Sequence, residues 1–191
     1  MTIRTTLIAT TALLALAGCG KKQDATPADT TNSVAAANQL DAATPTPAAV
    51  SASQSFVNTA AASDAFEIES SKLALTNGSS ASVKSYARKM IEAHTASTAK
   101  LKATTATLSP ALTPDPALNA EQQQTIDQLK SLNGAAFDQA YIAAQAAGHQ
   151  QTLDALKAYA ATGDVPQLKT FANGLVPTVA AHLNMAKGLK A

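Results

Sequence analysis

Three histidines and one glutamate are the residues of this chain whose types and spacing suggest chemistry. His94, His149 and His182 are its only histidines, and each falls on or beside the apolar stripe of a different helical segment. Glu67 lies on a fourth segment, following Phe56, Ala60 and Ser63 at helical spacing. Glu67 stands about 12 residues before the turn that ends its segment, and His94 about 14 after it. His149 stands about 14 residues before the last turn and His182 about 18 after it. In antiparallel helices these offsets agree to within about one helical turn, or 5.4 Å. One carboxylate and three imidazoles at one height form a ligand set for a divalent ion such as Zn, Fe or Cu. The same four groups also make a metal-free polar layer, with Glu67 pairing the imidazoles and fixing helix register, because buried polar groups must be paired. The sequence leaves both readings open. A di-iron oxidase centre is disfavoured, since it needs Glu-x-x-His on two helices. The residues three positions before the histidines are Ile91, Ala146 and Val179.

Other constellations carry less. Asp138 and Tyr141, within Phe137-Asp138-Gln139-Ala140-Tyr141, can hydrogen-bond to a neighbouring helix and are read as structural. No Gly-rich phosphate loop, nucleophile elbow or paired acidic cleft occurs, so no catalytic residue is named. The formal net charge is +1 and no basic stripe is interleaved with aromatics, which excludes nucleic acid as an expected partner. One cysteine and no tryptophan leave no disulfide framework and no Cys-based zinc site within one chain.

The elements that must position the histidines are helices. Of 191 residues, 46% are hydrophobic, much of this alanine, and only 4% are aromatic. Alanine favours helix and close helix packing, and few β-branched or aromatic runs exist to build a sheet. The spacing predicts a first helix over residues 53–76, ending at Asn77-Gly78, a pair suited to left-handed capping. A second helix, capped by Ser80 or Ser82, presents Val83, Ala87, Met90, His94, Ser97 and Leu101 and stops before Ser109-Pro110. A turn-rich crossing through Pro110, Pro114 and Pro116 leads to a short helix over 116–132, broken at Asn133-Gly134. A third long helix covers 135–162, with Ile142, Gln145, His149, Leu153 and Leu156 on its stripe. Asp164 is the expected cap of the last helix, with Pro166 in its first turn. That helix presents Leu168, Phe171, Leu175, Val179, His182, Met185 and Leu189, and Pro177 removes one of its backbone bonds and should kink it. One-sided stripes on long helices joined by short turns predict an all-α, antiparallel four-helix bundle with a broken connection between its second and third long helices.

Ahead of the bundle, Arg4 precedes an uncharged stretch from Thr5 to Ala17, too short to span a bilayer and of the length of a signal-peptide core. Leu16-Ala17-Gly18-Cys19 closes it and resembles the lipobox of bacterial lipoproteins. Residues 1–18 are therefore read as a lipoprotein signal peptide and Cys19 as the lipidated residue, anchored in the membrane by its acyl chains. Gly20 after the cysteine implies the outer membrane under the Gram-negative sorting rule. Residues 19–53, rich in Ala, Thr, Asp, Asn and Pro, are read as a disordered linker that gives the domain reach.

Taken in order, Phe56-Val57, Glu67-Ile68-Glu69, Lys72-Leu73-Ala74, Ala87 to Met90, His94-Thr95, Phe137 to Tyr141, His149, Leu175-Val176-Pro177 and His182-Leu183 resemble an exported, ferritin-like bacterial family of unknown function. Its members usually carry an outer-membrane-protein label. The likeness covers about residues 54–190. It implies a ferritin-like helical domain and an extracytoplasmic location, and it supplies no reaction. Two positions depart from the family pattern: Ala93 stands where an acid often precedes the histidine, and Ser63-Asp64 stands where two glycines are common. Alternating ten-residue strands are absent, so no transmembrane barrel is expected. The function expected is that of a lipid-anchored envelope module with a non-catalytic binding or stress-related role, its protein or small-ligand partner unnamed. The alternative is a metal-binding or redox bundle built on Glu67, His94, His149 and His182.

Overall fold

The structure, a computed structural model, describes residues 50–191. The leader, Cys19 and nearly all of the expected linker lie outside the described residues. Five helices account for the regular structure there, with no strand among the described residues: α1 Ala52–Asn77, α2 Ala81–Ala106, α3 Ala120–Lys130, α4 Gly134–Thr162 and α5 Pro166–Gly188. No helix among the described residues is long and apolar enough to cross a membrane.

The four long helices have 26, 26, 29 and 23 residues, hence roughly 35–44 Å each at 1.5 Å per residue. α1 and α2 form one antiparallel pair across a short turn, and α4 and α5 form another. Contacts at both ends fix how the pairs meet. Ser79 and Ser80 donate their backbone amides to Asp138 at the start of α4, and Phe56 of α1 stacks on Tyr159 near the end of α4. α4 therefore runs antiparallel to α1. The chain from Thr107 to Asn133 returns along the whole bundle, giving the expected ferritin-like order with its broken connection.

That return is tied down by polar contacts from α1. Gln54 Nε2 donates to the Thr113 carbonyl at 2.8 Å, and the Asp115 amide donates to Asn58 Oδ1 at 3.2 Å. At the other end Asn77 Nδ2 donates to the Leu132 carbonyl at 3.2 Å. α3 is shorter than the 116–132 expected from spacing. Asn119 and Gln122 form a reciprocal capping box, which starts the helix beyond Pro116 by satisfying its first free amides.

Three local expectations are corrected by tertiary contacts. Gly78 has φ −68° and not a left-handed conformation. Its requirement is space, since a Cβ there would stand 2.6 Å from the Ala74 carbonyl oxygen and 2.9 Å from Asp138 Oδ1. The left-handed glycine is Gly134, at φ 61°. Ser80 occupies the N-cap of α2 without capping through its side chain; its hydroxyl bonds Ser82 Oγ at 2.8 Å and donates to the Lys190 carbonyl at 3.4 Å instead. Asp164 does not cap α5, whose N-cap is Val165; Asp164 Oδ1 accepts from the Tyr159 hydroxyl at 2.8 Å.

The core falls into two apolar clusters. One holds Phe56, Leu101, Leu156, Leu168 and Phe171; the other holds Val83, Met90, Phe137 and Tyr141. Burial of each such side chain contributes about 1.5–3 kcal/mol. Along each long helix the chain passes from one cluster to the other, and at the crossing stands a polar residue: Asp64 and Glu67 on α1, His94 on α2, His149 on α4, His182 on α5. Met185, expected inside, is exposed, and Leu183 is buried instead.

Candidate metal centre

All five polar residues at the crossing are buried: Glu67 is 1% exposed, His149 1%, Asp64 5%, His94 5% and His182 8%. The imidazoles form a triangle, with ring centroids 5.5 Å apart for His94–His149, 5.7 Å for His94–His182 and 5.4 Å for His149–His182. One ring nitrogen from each lies within 4.8 Å of the others.

Their outward nitrogens are already committed in two cases. His94 Nδ1 bonds Asp64 Oδ1 at 2.8 Å, and Thr98 donates to the other Asp64 oxygen at 3.2 Å. His149 Nδ1 faces the Gln145 carbonyl at 2.9 Å. Because a carbonyl oxygen only accepts, His149 carries its proton on Nδ1, which leaves the Nε2 lone pair free. Fixing the imidazole through its remote nitrogen is the arrangement that orients metal-ligating histidines. His94 Nε2, His149 Nε2 and His182 Nδ1 have no hydrogen-bond partner.

Glu67 stands behind His149 and not among the three converging nitrogens. Its Oε1 lies 3.5 Å from His149 Nδ1, and its Oε2 has no partner. Residues the sequence did not single out complete the surroundings. Asp64 sits one position beyond Ser63 on α1, and Gln145 also donates to Ser70 Oγ at 3.2 Å. The one sequence signal for Asp64 was an acid where the resembled family often has glycine. Asp138 and Tyr141 do not join the cluster or each other: Asp138 receives the amides leading into α2, and the Tyr141 hydroxyl pairs with Ser71 on α1 at 2.7 Å. Cys19 lies outside the described residues.

Burial sets the charge state. Desolvation, helped by a positive charge on His94, pushes His149 down to about 3, and the same two causes bring His182 to about 4. Both are neutral at pH 7 with a lone pair to offer. For His94 burial also pulls downward, but the hydrogen bond to Asp64 and the charges of Glu67 and Asp64 outweigh it and hold its pKa above the usual value. Burial pushes Glu67 up to about 7, against the pull of His94 and Gln145. His94 and Glu67 are thus the groups of the cluster whose protons are held more firmly than usual. Two carboxyl groups beside three imidazoles, with no lysine or arginine in contact, suit a cation.

Similar solved structures share this helix arrangement. CopM in the Cu(II)-bound form superposes with a TM-score of 0.60 at 16% identity, covering 71% of this chain and 93% of that one. CopM in the Cu(I)-bound form gives 0.60 at 16% identity, over 73% and 95%. The Ag-bound form gives 0.56 at 16%, over 71% and 92%. At that identity the likeness establishes the fold. No curated protein matches the chain. The model of a domain of unknown function, DUF4142, matches residues 36–189, which takes in the whole bundle together with the histidine cluster, and the chain belongs to that family.

Proposed function

We propose that this chain is a copper-binding protein of the cell envelope, holding the ion between His94, His149 and His182 and tied to the membrane by lipid on Cys19. The observation that carries the metal reading is a triangle of buried imidazoles that bring one ring nitrogen each within 4.8 Å of the others, each ring also holding a buried nitrogen without a partner. A metal-free polar layer would close on itself, since nearly all buried polar groups in proteins are paired. Here Asp64 pairs the Nδ1 of His94 and Glu67 lies beside the Nδ1 of His149, and each imidazole keeps a buried nitrogen without a partner. An ion at the centre would satisfy all three nitrogens at once. Copper is favoured because an all-nitrogen site binds it most tightly among the common divalent ions. The copper-bound neighbours of the same fold support that choice without transferring their ligands. Asp64 and Glu67 act as outer partners that orient His94 and His149 and offset the ion's charge.

Titrating the purified chain with Cu(I), Cu(II) and Zn(II) tests this. One equivalent of copper should bind and raise Tm, because a ligand selective for the folded state stabilises it. Unchanged Tm with no stoichiometric binding rules the metal reading out. The pH dependence adds a sign. Metal and protons compete, so affinity weakens as pH falls through the ranges of Glu67 and His94. Calorimetry in buffers of different ionisation enthalpy should count no more than about two protons displaced per ion. Three or more would place protons on His149 or His182 and contradict the charge assignment.

The envelope placement is supported by the Leu16-Ala17-Gly18-Cys19 lipobox and, for the outer membrane, by Gly20. Palmitate labelling of the chain in a Gram-negative host, abolished by Cys19→Ser, would support it. Labelling that survives the substitution would contradict it.

A further inference from the structure

An ion bound among three buried imidazoles must reach them, and the packing singles out one route. The α1–α4 seam is closed beside the cluster by the Ser63–Thr152 hydrogen bond at 2.7 Å and farther along by Ser71–Tyr141 at 2.7 Å. A cleft under α3 is lined by Ser63 and Thr152 and by none of the histidines; the same two side chains also line the pocket in the α2–α5 seam, and their hydrogen bond stands between the two. Within the α1–α2 and α4–α5 hairpins the helices pack along their length. Of the contacts between adjacent long helices, those of α2 with α5 are the sparsest.

A small pocket of about 40 Å³ opens in that last seam, its wall completed by Ala60 and Ser63 of α1 and Thr152 and Leu156 of α4. At its surface stand Ala93 and Ser97 of α2 with Leu175 and Thr178 of α5; at its inner end stand Asp64, His94 and His182. His149 is not on its wall. The mouth is bounded by small or hydroxyl-bearing side chains, with Thr178 exposed and the other three half-buried. Pro177 adjoins Thr178 and lacks the amide that would bond back one turn along α5, so the helix is least braced beside the opening.

We infer that the metal ion enters and leaves through the α2–α5 seam, meeting Asp64, His94 and His182 before His149 completes the site. Asp64 supplies a negative charge along the way, and Ser97 and Thr178 supply oxygens to replace lost water. Ala93 is the gate position, since it is the smallest side chain at the mouth and is not itself among the proposed ligands, so a larger one there narrows the seam. The inference rests on the copper reading, and its test separates the two.

The experiment follows Cu(II) uptake by the full chain in a stopped-flow instrument, reading quenching of tyrosine fluorescence. Tyr86 is suited to this because its ring lies 6.5 Å from that of His149. Along the series Ala93→Val, Ala93→Leu and Ala93→Phe, uptake and release should both slow, by about tenfold or more for Phe, with Kd unchanged. Thr178→Leu, at an exposed site on the opposite lip, should slow both rates as well, and it provides the test should a larger residue at 93 prevent folding. Thr125→Trp, in the cleft under α3, should leave the rates as they are. Stoichiometric binding with unchanged rates in the Ala93 and Thr178 variants, or slowing by Thr125→Trp alone, overturns the route. Absence of copper binding by the unmodified chain overturns the copper reading and the route with it.

Discussion

Replacing His149 with leucine is expected to abolish stoichiometric copper binding while leaving the metal-free protein as stable as its parent or more so. Loss of a ligand should exceed the 10–100-fold cost typical of changing an outer partner. The stability side follows from what the imidazole does without an ion. Its Nε2 is buried and unpartnered, which costs about 1–3 kcal/mol. The Nδ1 bond to the Gln145 carbonyl returns about 0.5–1.5 kcal/mol, and that carbonyl already accepts within the helix. Leucine is of similar volume and removes the unpaired group. Thermal unfolding and a copper titration of the same variant decide the matter. A fall in Tm without any copper binding in either protein would mark His149 as a structural member of a polar layer. Full copper stoichiometry in the variant would place the ligands elsewhere. His94→Leu discriminates less well, because it strands the buried Asp64 carboxylate and should cost about 3–5 kcal/mol whatever the cluster binds.

Asp138→Ala is expected to cost about 3 kcal/mol, as much as truncating a core side chain. The carboxylate is fully buried. It accepts from the Ser79 amide at 3.1 Å, the Ser80 amide at 2.8 Å and the Ser79 hydroxyl at 2.6 Å. It also sets a negative charge at the positive end of the α2 dipole. Alanine leaves three donors to find water in a tight turn. For a domain of this size the change should lower Tm by roughly 10 °C. Asp138→Asn, which keeps one acceptor oxygen, should lose about half as much. Copper stoichiometry should not change, because Asp138 caps the far end of α2 from the cluster. Melting of Asp138→Ala within about 2 °C of the parent would show that the Ser79 and Ser80 donors are satisfied without it.

These two residues mark how far the sequence could be read. Both histidine height and Asp138 were visible: helical spacing showed His149 pointing inward, and the Phe137–Tyr141 motif showed a polar residue facing a neighbouring helix. What Asp138 faces was not visible. Ser80 and Asp164 carried good local capping chemistry, yet the Ser80 hydroxyl bonds that of Ser82 and Asp164 accepts from the Tyr159 hydroxyl, pairings that depend on how the backbone is placed by packing. Asp64 was missed for another reason. The stripe through Phe56, Ala60, Ser63 and Glu67 assumes one buried face, but α1 packs against α2, α3 and α4. Its buried arc is wide enough to take in Asp64 beside Ser63.

The sequence by itself determined the helices, the antiparallel order with its long return, and a shared height for His94, His149, His182 and Glu67. Height follows from counting residues, because each adds a fixed 1.5 Å of rise. Only the tertiary structure decided direction: which ring nitrogens converge, that Asp64 orients His94 while Glu67 stands behind His149, and that the α2–α5 seam opens onto the site. Direction depends on how each helix is turned about its axis and on side-chain rotamers. Those are set by the packing of all four helices together, and no single helix carries them in its spacing.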